Sequence, residues 1–145
     1  PGSTPLRGTM DNDWIVSFLA VSTENDVLVT YSSPGGMFLY DVCDLSDTTP
    51  DLLSYMDVPS VADGLNPSSL IVKGSNLYAG FGQTLSHGTA VARISIADPA
   101  NPYITEWLSM NGQVAGITRG GVLVGNHLFF ANSKYNAVSI YVSHP

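Results

Sequence analysis

Leu70-Ile71-Val72-Lys73-Gly74-Ser75-Asn76-Leu77-Tyr78-Ala79-Gly80 decides the fold. Two short apolar runs flank a polar tetrapeptide. Gly74 and Asn76 tolerate the positive φ that a tight hairpin turn requires, so the stretch reads as strand, turn, strand. The same pattern occurs twice more. Phe18-Leu19-Ala20-Val21 runs through Ser22 to Asp26 into Val27-Leu28-Val29-Thr30-Tyr31. Val122-Leu123-Val124 runs through Gly125-Asn126-His127 into Leu128-Phe129-Phe130-Ala131.

Each hairpin is followed by a third strand: Phe38 to Val42, Ala92 to Ile96 and Val138 to Val142. Positions 38, 40 and 42 align with 92, 94 and 96, and with 138, 140 and 142. Their alternation is the period of a strand with one buried face. A turn rich in Asp and Pro comes next, Asp44 to Pro50 and Asp98 to Pro102. It leads into a fourth strand, Asp51 to Met56 and Tyr103 to Met110. Four short antiparallel strands repeating every ~50 residues are the pattern of a β-propeller blade. No segment carries a 3.6-residue apolar stripe, so the chain is predicted to be all-β. The core expected from the alternation is Leu19, Val21, Leu28, Phe38, Tyr40, Ile71, Leu77, Ile94, Leu123, Phe129 and Ile140.

Ile94-Ser95-Ile96-Ala97-Asp98-Pro99-Ala100-Asn101-Pro102 resembles the LVIVD repeat of bacterial and archaeal cell-surface propellers, in which an apolar strand ends in Asp and Pro punctuation. Tyr40 through Pro50 resembles it more loosely, and the third copy departs from it, with His144 where the second has Asp98. The resemblance implies a propeller in an exported setting and no particular activity.

The two ends of the chain complement each other. Val142-Ser143-His144-Pro145 stops where the second copy would continue to its fourth strand, and Ser3-Thr4-Pro5 to Met10 resembles the residues leading to Met56 and Met110. One propeller segment, 1–145, is therefore expected, with blades over about 17–56, 69–110 and 121–145. Residues 4–10 would supply the outer strand of the last blade. Three blades are fewer than the usual four to eight. A second chain is expected to complete a six-bladed ring, giving a homodimer by strand exchange. A section of a longer propeller is the other reading. The chain opens Pro1-Gly2-Ser3, without an initiator Met or a signal-peptide pattern, and reads as a mature or processed form.

Composition narrows the function classes. Hydrophobic residues make up 44% of the chain and charged residues only 12%, so it folds with a surface of Ser, Thr, Asn, Gly and Tyr. That composition suits an extracellular or cell-surface protein. The net charge is −7, and the five basic residues Arg7, Lys73, Arg93, Arg119 and Lys134 do not cluster. This argues against nucleic acid and anionic membrane surfaces, which need grouped cations. No apolar run approaches the ~20 residues of a membrane-spanning helix. The lone Cys43 has no disulfide partner within the chain and is expected to be a small buried thiol.

Candidate chemistry is sparse. In propellers the loops joining strands two to three, and four to the next blade, share one face. The polar side chains expected there are Gln83, His87, Arg119 and Lys134, the best candidates for a ligand-binding surface. His87, His127 and His144 lack metal-ligand spacing. Asp41, Asp44 and Asp47 lack the Gly and distal Glu of a helix-loop-helix calcium site, and Asp44 and Asp47 suit turns. Gly80-Phe81-Gly82 lacks a third glycine and a following helix, and no nucleophile elbow or phosphate loop occurs. Trp14, Trp107 and the tyrosines are expected to pack between blades. No metal and no cofactor is expected. The leading functional expectation is a non-catalytic structural or binding module of an exported or surface assembly. The alternative is a propeller hydrolase or oxidoreductase with its site at the channel mouth.

Overall fold

The computed structural model describes residues 15–33, 36–43, 50–56, 67–84, 88–109, 118–132 and 137–142. They form eleven strands and no helix. Strands β1 (Ile15–Ser22), β2 (Val27–Ser33), β3 (Gly36–Asp41) and β4 (Asp51–Met56) pair in chain order as the first sheet. Strands β5 (Pro67–Lys73), β6 (Asn76–Thr84), β7 (Gly88–Ser95) and β8 (Tyr103–Ser109) make the second sheet in the same way. Strands β9 (Thr118–Val124), β10 (His127–Asn132) and β11 (Ala137–Val142) make the third. Every pairing is antiparallel. The expected outer strand at residues 4–10 lies outside the described residues.

The turns follow from their residues. Gly74 and Gly125 adopt φ of 54° and 59°, the left-handed region where glycine carries no Cβ penalty. Each closes a two-residue hairpin between β5 and β6 or between β9 and β10. The longer turn of the first sheet puts Asp26 at φ 50° instead. After β7, Asp98 organises the chain. Its Oδ1 accepts the Ala100 N–H at 3.1 Å, its Oδ2 accepts from the Asn101 side chain at 2.9 Å, and its carbonyl accepts the Asn101 N–H at 3.0 Å. An Asx turn of this kind explains why Asp follows β7 at this point.

The sheets stack face to face, coming closest along their first strands β1, β5 and β9. The first sheet buries Val27, Val29, Tyr31, Met37 and Leu39 against Leu77, Ala79, Phe81, Ala92, Ile94 and Ile96 of the second. The opposite face of the second sheet, with Tyr78, Val91 and Ile71, packs on Leu128, Phe130 and Leu123 of the third. The second sheet is thus covered on both faces.

This arrangement corrects the expected core. Leu77 and Ile94 are fully buried, Tyr40 is buried, and Ile71 and Leu123 pack partly buried against the second cluster. Leu19 and Val21, however, are 65% and 50% exposed, and Leu28 and Phe38 are half-buried. The first sheet turns its other face inward. In the third sheet Leu128 and Phe130 are buried, whereas Phe129, on the opposite face, is half-buried. Both faces of these strands are apolar, so alternation alone could not choose between them. The side chain of Ile140 lies outside the described residues. Cys43, expected to be buried, is exposed. It lies just past the end of β3, where its N–H donates to Asp41 Oδ1 at 2.8 Å.

Polar bonds tie neighbouring turns together in a repeated way. Ser22 Oγ, on the last residue of β1, donates to the Gly74 carbonyl of the next sheet at 3.2 Å. Lys73, on the last residue of β5, donates to the Gly125 carbonyl at 3.3 Å and to Asn126 Oδ1 at 2.6 Å. Asn25 adds bonds to Ser75 Oγ and the Ile96 carbonyl, and Ser54 donates to the Pro99 carbonyl at 2.6 Å. These fix the stagger of the sheets, a job that non-directional apolar contact does poorly.

Candidate functional site

The β1–β2, β5–β6 and β9–β10 turns lie at one end of the stack, as the bonds between them require. Antiparallel pairing then puts the end of β6 and the start of β9 at the other end. Gln83, in β6, and Arg119, in β9, therefore share that end. His87 and Lys134 lie outside the described residues, so two of the four sequence candidates are positioned, at the backbone level. His127 is exposed at the turn end, with its ring 6.4 Å from that of Phe129.

Polar chemistry is sparse among the described residues. No group of three or more His, Cys, Asp or Glu side chains there is arranged to hold a metal ion. Arg93 pairs with Glu106 at 3.8 Å and donates from Nε to Asn76 Oδ1 at 3.0 Å. At 24% and 47% side-chain exposure, such a pair contributes at most about 1 kcal/mol. Asp41 and Asp98 are occupied in turns. The hydroxyls of Thr30 and Ser69 are buried without a hydrogen-bond partner. Each costs about 1–3 kcal/mol of desolvation, and neither is accessible to a ligand. No helix among the described residues is long and apolar enough to cross a membrane.

What the surface does offer is apolar. The outward face of the first sheet presents Leu19, Val21, Leu52 and Tyr55, each at least half exposed. Phe38 and Tyr55 rings meet there with centroids 5.0 Å apart. The outward face of the third sheet presents Val122 and Val124, at 55% and 60% exposure. Beside them Gly120, Gly121, Val122, Phe129 and Ala131 line an open groove of about 330 Å³. Exposed apolar side chains grouped on one face make these faces the candidates for an interaction surface. Trp107 is not fully buried between sheets. It is 39% exposed and packs on Phe81 of its own sheet, at 5.5 Å between ring centroids.

Sequence reasoning placed Leu19 and Val21 in the core and so missed this surface. The signal that identifies it is the alignment of the repeats across their turns. Val42 N–H donates to the Asp26 carbonyl and Ile96 N–H to the Ser75 carbonyl, so residue 26 corresponds to 75 and 42 to 96. Leu28 then corresponds to Leu77, and Leu19 and Val21 to Leu70 and Val72. The third hairpin places Leu128 at the same position as Leu77. In the third strand, however, Val142 stands opposite His127 as Ser95 stands opposite Asn76. That is one residue away from the alternation-based alignment.

The chain matches no known family model, and no curated protein is significantly similar to it in sequence.

Proposed function

We propose that the chain is a three-blade section of a β-propeller that serves as a non-catalytic structural or binding module of an exported or cell-surface assembly, and that it self-associates. The observation that carries this reading is the pair of apolar outward faces on the first and third sheets. A stack whose central sheet is covered on both sides repeats its interface, and its ends stay unsatisfied until something covers them. Sheets that come closest along their first strands, two of them four-strand meanders and the third a three-strand one, suit the radial arrangement of blades. The low charge and the LVIVD-like residues 94–102 support an exported setting. Two chains complete a six-bladed ring, with residues 4–10 of each as outer strand for the third sheet of the other. Any ligand is taken at the end of the stack that carries Gln83 and Arg119, with His87 and Lys134 in the adjoining loops.

The test is solution mass. Sedimentation equilibrium across micromolar concentrations should give twice the 15.4 kDa of the chain. A monodisperse monomer throughout that range overturns the self-associating reading.

A further inference from the structure

Each sheet has two kinds of face, and the internal interfaces show that one kind always meets the other. The front face carries Leu28 in the first sheet, Leu77 in the second and Leu128 in the third. The back face carries Val29, Tyr78 and Phe129 at the next position along the same strands. In both interfaces within the chain, the back of one sheet covers the front of the next. Val29 packs with Leu77 and Ile94, and Tyr78 packs with Leu128 and Phe130. Among the described residues, what no other sheet covers is one front, on the first sheet, although Thr30 and Tyr40 on it are buried, and one back, on the third.

We propose that the front of the first sheet is covered by the back of the third sheet of a second copy of this chain, and reciprocally, so that two chains close through two identical head-to-tail interfaces. The inference rests on the self-associating reading above and adds which face meets which. The two faces agree in being apolar at the corresponding positions. On the front, exposed Leu19 and Val21 correspond to Leu70 and Val72, which pack against the first core cluster. On the back, exposed Val122 corresponds to Ile71. Ile71 reaches into the space above Gly121, where a Cβ would lie 2.6 Å from its Cδ1. A large side chain on one partner thus enters a glycine hollow on the other. The back of β9 has a hollow of its own at Gly120, where a Cβ would meet nothing within 4 Å. The 330 Å³ groove beside it has room for Leu19 of the partner chain. One position departs from the repeat. Ser22 and Lys73 donate to the next turn, but the third sheet has Val124 there, so the new interface relies on apolar contact at that point.

Area favours the closed pair over an open one. Three strands at ~4.8 Å spacing and seven residues at ~3.3 Å give the back of the third sheet roughly 330 Å². A single front-to-back contact then buries about 670 Å² over both partners, below the ~1,000 Å² expected of a specific interface. Two such contacts bury about 1,300 Å², within the standard range. Face-to-back contacts are heterologous and close only when the rotation between copies allows it, which three blades of six satisfy with a two-fold axis.

Charge complementation on the full chain tests this. Leu19→Glu and Val122→Lys are made singly, both at exposed positions, and circular dichroism checks that each variant folds. Each variant alone is expected to sediment as a monomer, because a charge meets an apolar surface in both interfaces. An equimolar mixture is expected to dimerise again, since one interface then pairs the introduced carboxylate with the introduced ammonium and the other is wild type. If the wild type dimerises but the mixture does not, the face assignment is overturned while the self-associating reading stands. A dimer lost with Leu19→Glu and kept with Val122→Lys points to front-to-front pairing and also overturns it. A monomeric wild type overturns both. As a second measurement that does not rely on charge, Leu19→Cys and Val122→Cys, each in a Cys43→Ser background, should form a disulfide-linked pair only when mixed. Cross-linking of Leu19→Cys to itself counts against the proposal.

Discussion

The front of the second sheet and the front of the first share Leu77 and Leu28, Leu70 and Leu19, and Val72 and Val21 at corresponding positions, yet those on the second are more deeply buried. Leu77 is fully buried, whereas Leu28 is half-buried. Leu70 and Val72 pack against a cluster, whereas Leu19 and Val21 are mostly exposed. The backs differ in the same way. Val29 and Tyr78 are buried, and Phe129 at the corresponding place is not. Burial in this molecule is therefore a property of the neighbour, not of the strand. In a stack of sheets each inner face is satisfied by the next sheet, and the end faces stay open unless they are capped or joined.

Deleting a covered side chain and its uncovered counterpart should give opposite results. Phe81→Ala, at 1% exposure in the first cluster, should lower unfolding free energy by about 3–5 kcal/mol, measured by urea denaturation. Ile94→Ala, also 1% exposed, should cost about 2–5 kcal/mol. Leu19→Ser should stay within about 0.5 kcal/mol in the monomeric range. A loss at position 19 matching that at 94 would mean that the first sheet is covered within the chain.

A second contrast lies within one strand. Gly121→Ala puts a methyl against Ile71 and Phe130, both under 3 Å away, and should destabilise by about 1–3 kcal/mol through overpacking. Gly120→Ala, facing open space, should change monomer stability by less than about 0.5 kcal/mol. Equal effects at the two glycines would show that β9 does not have one covered and one open face.

The smallest expected effect concerns the bonds between turns. Ser22 is 1% exposed and donates to Gly74. Ser22→Ala should cost about 0.5–1.5 kcal/mol, and amide exchange in the β5–β6 turn should rise with it. No change in either would mean that apolar packing alone sets the stagger of the first two sheets.

The amino-acid sequence by itself determined the strands and their turns. Short apolar runs bounded by Gly, Asn, Asp and Pro leave little choice of local structure. Gly74, Gly125 and Asp98 do in the folded chain what their chemistry allows. The four-strand order of the first two sheets was legible for the same reason, since each turn residue is a local decision. Which face of each strand is core was decided only by the tertiary structure. Val27-Leu28-Val29 and Leu128-Phe129-Phe130 are apolar on both sides, so the period that marks a half-buried strand has nothing to contrast. The choice falls to whichever sheet lies alongside. The candidate site was illegible on the same ground: Leu19 and Val21 look like core because in the next repeat Leu70 and Val72 are packed against it, and only the missing neighbour makes them a surface.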